Sequence, residues 1–473
     1  MFIGREKELA ELNRLYAEDR FQLFVIYGRR RVGKTTLLKE FCKDKPAVFY
    51  SAEQSNEHSN LMKFSEQLFT YYNETALEPF ASWEKALLYL AERQADKPLI
   101  LVIDEFPYLA DSKPELLSVF QHLIDHKLKE TKLFLILCGS YMGFMEKEVL
   151  GSKSPLFGRR TAQLRLKPFD YMTSIRFLNG FTPEEQLMLY GAFGGTALYL
   201  QQAQNHKTVE DAITNTILKT TGYLYEEPLL LLRQEVQQPG IYSAVIEAIA
   251  SGATRANEIA LKTGEESAKC LKYIGALREL GIVRKELPFG EKDSSRKALY
   301  QLSDFMFRFW YRYVARNKTL LETDAQKIVW EKRIVPDYSS YMGYVFEIVC
   351  RDYLLHQNSQ GTLPFLFTEI GRWWGTDKRT HEQIEIDLIA RDRNDYLFAE
   401  CKWRNELLDI NVLKKLKEKA LAFGGKQEAV YYALFSKSGF TRGVVEEAAH
   451  DPNLLLFDLN DLLPAGQRPL VLI

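Results

Sequence analysis

The octapeptide Gly28-Arg29-Arg30-Arg31-Val32-Gly33-Lys34-Thr35 has the residue types and spacing of a phosphate-binding loop. Gly28 and Gly33 let the backbone curl so that amide N–H groups along Arg29, Arg30, Arg31, Val32 and on to Thr36 face phosphate oxygens. A helix starting there adds the positive end of its dipole. Lys34 would reach the β/γ-phosphates of a nucleotide, and the Thr35 hydroxyl would hold Mg²⁺. A partner for the metal belongs at the end of another buried strand, and Asp104-Glu105 follows the apolar run 98–103. Asp104 would orient Mg²⁺, and Glu105 would polarise water for attack on the γ-phosphate. Ser140 follows a third apolar run, 133–138, and Gly139; it is either a γ-phosphate sensor or an ordinary strand-end turn residue. ATP and Mg²⁺ are the implied cofactors.

A second group lies between Gln383 and Trp403. The chain reads strand, polar turn around Arg393-Asn394, strand. A hairpin symmetric about that turn sets Asp387 opposite Glu400 and Glu385 opposite Lys402, all four on one face. Like charges directly opposite are destabilising unless a cation or proton intervenes. Mg²⁺ on Asp387 and Glu400, with Lys402 orienting or activating water, would be the apparatus of metal-assisted phosphodiester hydrolysis. Upstream, Glu347 sits in the apolar helical stretch 345–350, where it either supplies a further metal ligand or pairs with Arg351 one turn on. The bland reading of the hairpin is a Glu385–Lys402 cross-strand ion pair in a domain kept for binding.

These residues need elements to hold them. Phe21–Tyr27, Pro98–Ile103 and Leu133–Cys138 are continuous apolar runs of buried-strand type, and Thr36–Phe41 reads as the start of a helix. From Asp170 to about Pro239 the apolar spacing is helical, through Glu184–Leu200 and again through Ala212–Leu232. After Pro239-Gly240 come helical 241–250, 257–263 and 265–280, then strands 282–287 and 298–302 around a polar tip, 290–297. That succession reads as a helix-turn-helix with a wing. Lys269 and Lys272 lie on its second helix, and Lys292, Arg296 and Lys297 on the wing, where they would meet phosphates. From Ile241 to Leu302 there are ten basic residues against eight acidic ones. So slight a surplus leaves both DNA docking and protein docking open.

At 473 residues, about three domains are expected. The 46% hydrophobic and 26% charged content is that of a globular chain and excludes disorder. A formal net charge of −1 gives no global pull toward nucleic acid or anionic membrane, so polyanion contact must come from a local patch. No signal segment and no bilayer-spanning run is evident, and a cytoplasmic location is expected. Five scattered cysteines without a Cys-x-x-Cys pair argue against disulfides and structural zinc. His122 and His126 are one helical turn apart, but Leu123 stands where a metalloprotease motif has Glu, so a solvated helix face is expected.

The segments Phe2-Ile3-Gly4-Arg5-Glu6-Lys7-Glu8-Leu9, the loop, Ile103-Asp104-Glu105, Cys138-Gly139-Ser140, Ser154-Pro155-Leu156-Phe157-Gly158-Arg159-Arg160 and Leu166-Lys167-Pro168-Phe169 occur in an order that resembles the archaeal-type ATPase family of the AAA+ and STAND assemblage. The resemblance covers roughly the first half of the chain. It implies that Ile3 and Gly4 lie near the adenine and that Arg159 or Arg160 answers to the γ-phosphate, in cis or across a homo-oligomer interface. Gly194-Gly195-Thr196-Ala197 departs from the family's Gly-Gly-x-Pro turn by lacking the proline. In the C-terminal third, the order helix 338–355, three strands, helix 410–422, strand 428–435 is similar to the PD-(D/E)xK nuclease core, and Asp387, Glu400 and Lys402 match its motif. Gly371-Arg372-Trp373-Trp374-Gly375 also looks like the uncharacterised C-terminal domain that accompanies archaeal-type ATPases. The resulting expectation is an α/β chain: an AAA+-like P-loop ATPase core (1–169), a helical lid (170–239), a winged helix-turn-helix (240–304) and a restriction-endonuclease-like α/β domain (305–473). Two functions follow from it. One is an ATP-dependent switch on DNA with a Mg²⁺-dependent nuclease domain; the other is a nucleotide-dependent regulator or scaffold whose nuclease-like domain cuts nothing.

Overall fold

The computed structural model describes residues 2–75, 78–93, 98–295, 297–377 and 380–464. The chain separates into two compact units, Met1–Pro168 with Thr196–Leu198, and Phe169–Gly195 with Tyr199–Ile473. The first is built on strands β1 (Gln22–Tyr27), β2 (Ala47–Ser51), β3 (Ile100–Asp104), β4 (Phe134–Gly139) and β5 (Ala162–Arg165), in the order β2-β3-β4-β1-β5. Every pairing is parallel. The uninterrupted apolar runs are explained by burial on both faces. Leu23, Val25, Leu101, Ile103, Leu135 and Leu137 enter one core, while Phe24, Ile26, Ile100, Val102, Phe134 and Ile136 enter the other. Because the strands are parallel, Gly28, Asp104-Glu105 and Ser140 all emerge at one sheet edge, where open α/β sheets bind ligands.

The second unit begins with helices. The expected run through Glu184–Leu200 is two helices, Pro183–Phe193 and Ala197–Ala203, the latter opening with residues of the first unit. The break is at Gly194-Gly195: Gly194 has φ 65°, and a Cβ on Gly195 would run into the Phe169 carbonyl oxygen. The run through Ala212–Leu232 is also broken, into Val209–Ile213, a wider turn Thr214–Leu218, and Glu227–Glu235 with Pro228 at its start. Three helices follow, Pro239–Ala250, Ala256–Thr263 and Ser267–Glu279, then the antiparallel pair β6 (Val283–Glu286) and β7 (Leu299–Leu302). The segment between these strands is not wholly polar. Phe289 at its start is buried in the core of the C-terminal sheet beside Ile386, Phe398 and Leu413.

That sheet has the order β12-β11-β10-β9-β8, with β8 (Glu369–Thr376), β9 (Gln383–Asp392), β10 (Asp395–Lys402), β11 (Val430–Ser436) and β12 (Leu454–Phe457). The pairs β8–β9 and β9–β10 are antiparallel, and β10–β11 and β11–β12 are parallel. The preceding helix, Val335–Gln360, is longer at both ends than expected. Helix Ile410–Phe423 packs Leu413, Leu416 and Ala420 inward. Cys42, Cys138, Cys270, Cys350 and Cys401 are all free thiols. His122 and His126 are exposed on helix Leu116–His126. Among the described residues, no helix is long and apolar enough to cross a membrane.

Candidate functional site

The loop turns directly into a helix. Lys34–Cys42 is helical from the lysine onward, two residues earlier than expected, with Gly33 at φ 96° as its cap. Gly28 has no room for a side chain, since a Cβ there would strike the Leu166 carbonyl oxygen. The buried Lys34 ammonium donates to the Gly28 carbonyl at 2.6 Å and to that of Arg29 at 3.1 Å. Thr35 Oγ1 donates to Asp104 Oδ2 at 2.8 Å, so two oxygens of the kind Mg²⁺ takes stand side by side. Glu105 is held at φ 51°, a conformation uncommon for a side-chain-bearing residue, and Ser140 Oγ donates to its Oε2 at 2.6 Å. Lys34, Thr35, Asp104, Glu105 and Ser140 are thus brought together. The donor set fits a nucleotide phosphate with Mg²⁺: Thr35 and Asp104 would hold the metal, which would supply neutralisation of phosphate charge.

The surrounding arginines have separate duties. Arg29 donates to the Thr196 hydroxyl at 2.7 Å, Arg30 to the Tyr108 hydroxyl at 2.6 Å, and Arg31 has φ 71°. Thr36 is exposed on the first helical turn, while Val32 is buried. Ile3 and Gly4 are half-buried, and the next residue, Arg5, donates to the carbonyls of Val32 at 3.2 Å and Lys167 at 2.6 Å. Arg159 is clamped on Asp125 through Nε at 3.0 Å and Nη2 at 2.5 Å, which holds the Asp125 carboxyl down at about 2. Arg160 lies over the Phe157 ring, 6.0 Å from its centroid.

In the C-terminal sheet the hairpin register runs from Asp395–Asp392 to Ala399–Leu388, with Arg393-Asn394 at the turn as expected, and Asp387 and Glu400 come next. Both carboxylates are buried. Lys402 Nζ lies 2.6 Å from Glu400 Oε1 and 3.4 Å from Asp387 Oδ2, and the Cys401 amide donates to Asp387 Oδ2 at 2.8 Å. Lys419 approaches both Glu400 oxygens at 2.9 Å. Two ammonium groups therefore offset the like-charge conflict that the sequence led us to assign to a metal. Burial, then the Glu400 charge, raises the Asp387 carboxyl above its usual range. Burial opposes the charge on Lys402, but Asp387 and Glu400 outweigh it and raise that ammonium.

Glu347, on helix Val335–Gln360, is pushed up to about 8 by burial and then by the Asp387 charge. Its expected partner Arg351 instead donates to Asp352 at 3.0 Å. Glu385 does not pair with Lys402; it accepts from Arg372 Nε at 2.6 Å, and Arg372 also stands 3.7 Å from Glu286 on β6. Glu347, Asp387 and Arg372 line a cavity of about 180 Å³. Among the described residues, no three His, Cys, Asp or Glu side chains converge as a metal-holding group, so Glu347 does not complete a set with Asp387 and Glu400. Two carboxylates remain, a number that suffices for Mg²⁺ when substrate phosphate supplies further oxygens.

Sequence reasoning missed Arg5, Arg372 and Lys419 as members of these sites. Lys419 had a signal: it lies three residues after Leu416 on the sheet-facing stripe of its helix.

Two family descriptions match the chain. Residues 2–203 match an ATPase domain predominantly from Archaea, and residues 310–420 match archaeal and bacterial proteins of unknown function. An uncharacterized protein of Methanocaldococcus jannaschii is 33% identical over 467 residues, covering 98% of this chain and 100% of that one. An uncharacterized ATP-binding protein of Pyrococcus abyssi is 28% identical over 273 residues, 48% of this chain and 79% of that one. Among solved structures, the Walker-type ATPase of Pyrococcus abyssi superimposes with a TM-score of 0.50 at 21% identity, covering 66% of this chain and 96% of that one, which is a likeness of fold.

Proposed function

Because the chain belongs to the archaeal ATPase family and its residues 310–420 match archaeal and bacterial proteins of unknown function, we propose that this ATP-binding protein is an ATP-hydrolysing switch acting on DNA, with a Mg²⁺-dependent nuclease centre at Asp387, Glu400 and Lys402. The observation that carries the ATPase part is the Thr35–Asp104 contact of 2.8 Å beside a lysine held in a glycine-closed loop. Lys34 binds the β/γ-phosphates, Glu105 takes the proton of the attacking water, and Ser140, now bonded to Glu105, exchanges that bond for one to the γ-phosphate. Arg160 is the arginine assigned to the γ-phosphate, because Arg159 is engaged by Asp125. Glu105→Gln is expected to leave ATP binding intact and to slow phosphate release by at least about a hundredfold, the scale on which loss of one positioned acid–base group acts. Equal rates for the two proteins in a phosphate-release assay would overturn the assignment.

The three helices and the β6–β7 hairpin support a winged helix-turn-helix reading. Lys272 and Lys292 are exposed, whereas Lys269 pairs with Glu265 at 3.6 Å and Lys297 with Glu291 at 2.6 Å; Arg296 lies outside the described residues. In the C-terminal domain the buried acids with Lys402 support phosphodiester hydrolysis. Asp387 and Glu400 would hold Mg²⁺, which would polarise the scissile phosphate, and Lys402 would orient water.

One observation favours a second reading. Lys419 occupies both oxygens of Glu400, the arrangement of a domain that packs or binds without cutting, in a nucleotide-dependent regulator or scaffold. Plasmid nicking with Mg²⁺ that disappears in Lys402→Ala supports the nuclease. Absence of nicking together with a nucleotide-dependent change in assembly supports the regulator.

A further inference from the structure

The second unit carries an open cavity of about 650 Å³, lined by Ser251, Arg312, Arg316, Asn317, Arg333 and Asp337 among others. Its charges do not balance. Asp337 accepts from Arg312 through both oxygens at 2.7 Å and from the Tyr313 hydroxyl at 2.7 Å, so the acid on this wall is already engaged. Arg316 and Arg333 are exposed, and neither forms an ion pair among the described residues. Ser251, on the same wall, accepts from Lys262 through its hydroxyl at 2.9 Å and its carbonyl at 3.2 Å. Three guanidinium groups thus share this cavity with one carboxylate, in a chain whose overall net charge is −1.

We propose that this cavity is a phosphate-binding site. Guanidinium forks match phosphate oxygens in pairs, and Arg312, fixed by Asp337, offers a pre-oriented wall against which Arg316 and Arg333 close. The volume is that of a small-molecule site, with room for a pyrophosphate group and what it carries. The site shares no residue with the loop at Gly28–Thr35 or with the acids of the C-terminal sheet, and it does not depend on the recognition helix. The phosphate comes either from a free phosphorylated ligand or from a nucleic-acid backbone.

The test uses the full chain carrying Lys34→Ala, which silences the loop. Inorganic pyrophosphate and a fluorescent 20-mer duplex are titrated against this protein and against the same protein with Arg316→Ala/Arg333→Ala added. The expected result is pyrophosphate binding that falls at least tenfold in the added variant. A backbone source also makes the duplex bind with a log–log salt slope reduced by about two, one unit per phosphate contact removed. Pyrophosphate loss without any duplex effect assigns a free ligand. Unchanged affinity for both probes, or no binding of either, overturns the site. Lys269→Ala/Lys272→Ala separates this proposal from DNA docking: duplex loss there, with both probes unaffected by the arginine pair, sinks the cavity and leaves the docking reading standing. Should the alanine pair fail to fold, Arg316→Lys/Arg333→Lys replaces it, and pyrophosphate affinity unchanged in that variant overturns the role of the planar forks.

Discussion

Glu347 shows how much one side chain's surroundings decide. It is raised to about 8 from an ordinary 4.5, by burial first and the Asp387 charge second, so in the folded chain it keeps its proton at neutral pH. In the unfolded chain it ionises near its ordinary value. The folded state therefore binds the extra proton between those limits, and stability falls as pH rises from about 4.5 through about 8. Glu347→Gln removes that linkage. Urea midpoints of the two proteins should be closest near pH 4.5, with the variant gaining on the parent up to about pH 8 and the gap constant beyond; a gap independent of pH would show that Glu347 ionises freely. At the loop, Gly28→Ala places a methyl group against the Leu166 carbonyl in a φ of 155°, a conformation that alanine rarely adopts. The expected outcome is loss of ATP binding in a fluorescent-nucleotide titration, with the helical circular-dichroism signal kept.

At the scale of elements, the chain between β6 and β7 is the informative piece. Phe289 fills the core of the C-terminal sheet, its amide donates to the Arg372 carbonyl at 2.8 Å, and the Arg391 guanidinium stands 5.2 Å from its ring centroid. Phe289→Ala should cost about 3–5 kcal/mol, the usual range for a buried phenylalanine, and lower the denaturant midpoint accordingly; a change under about 1 kcal/mol would mean that the hairpin is not anchored there. This anchoring was not legible in the sequence. A phenylalanine beside Gly290 at the edge of a polar tip looks like a turn residue, and the strands that bury it lie about a hundred residues further on. What was legible is what is local. The loop's chemistry is contiguous, the parallel strands announce themselves as unbroken apolar runs, and the Asp387–Glu400 hairpin is set by its own turn. Arg5, whose partner carbonyls are 27 and 162 residues away, and Lys419, which meets Glu400 from a neighbouring helix, required the tertiary structure.

For the whole molecule, the proposed function requires two independent magnesium sites. Calorimetry with Mg²⁺ and a non-hydrolysable ATP analogue should resolve one class of uptake lost in Asp104→Asn and a second lost in Asp387→Asn. A single class that vanishes when the analogue is withheld would reduce the molecule to a nucleotide switch.

Thr196 accepts a hydrogen bond from Arg29 of the loop, yet it reaches the first unit only after the chain has passed through 169–195, which belong to the second. The complete surroundings of the loop are consequently not portable by simple truncation. A fragment ended at Pro168 would carry every loop residue but lack that acceptor, and any fragment long enough to restore it imports part of its neighbour. Ribosomal synthesis meets the same constraint, since the loop leaves the tunnel long before the residue that completes its surroundings.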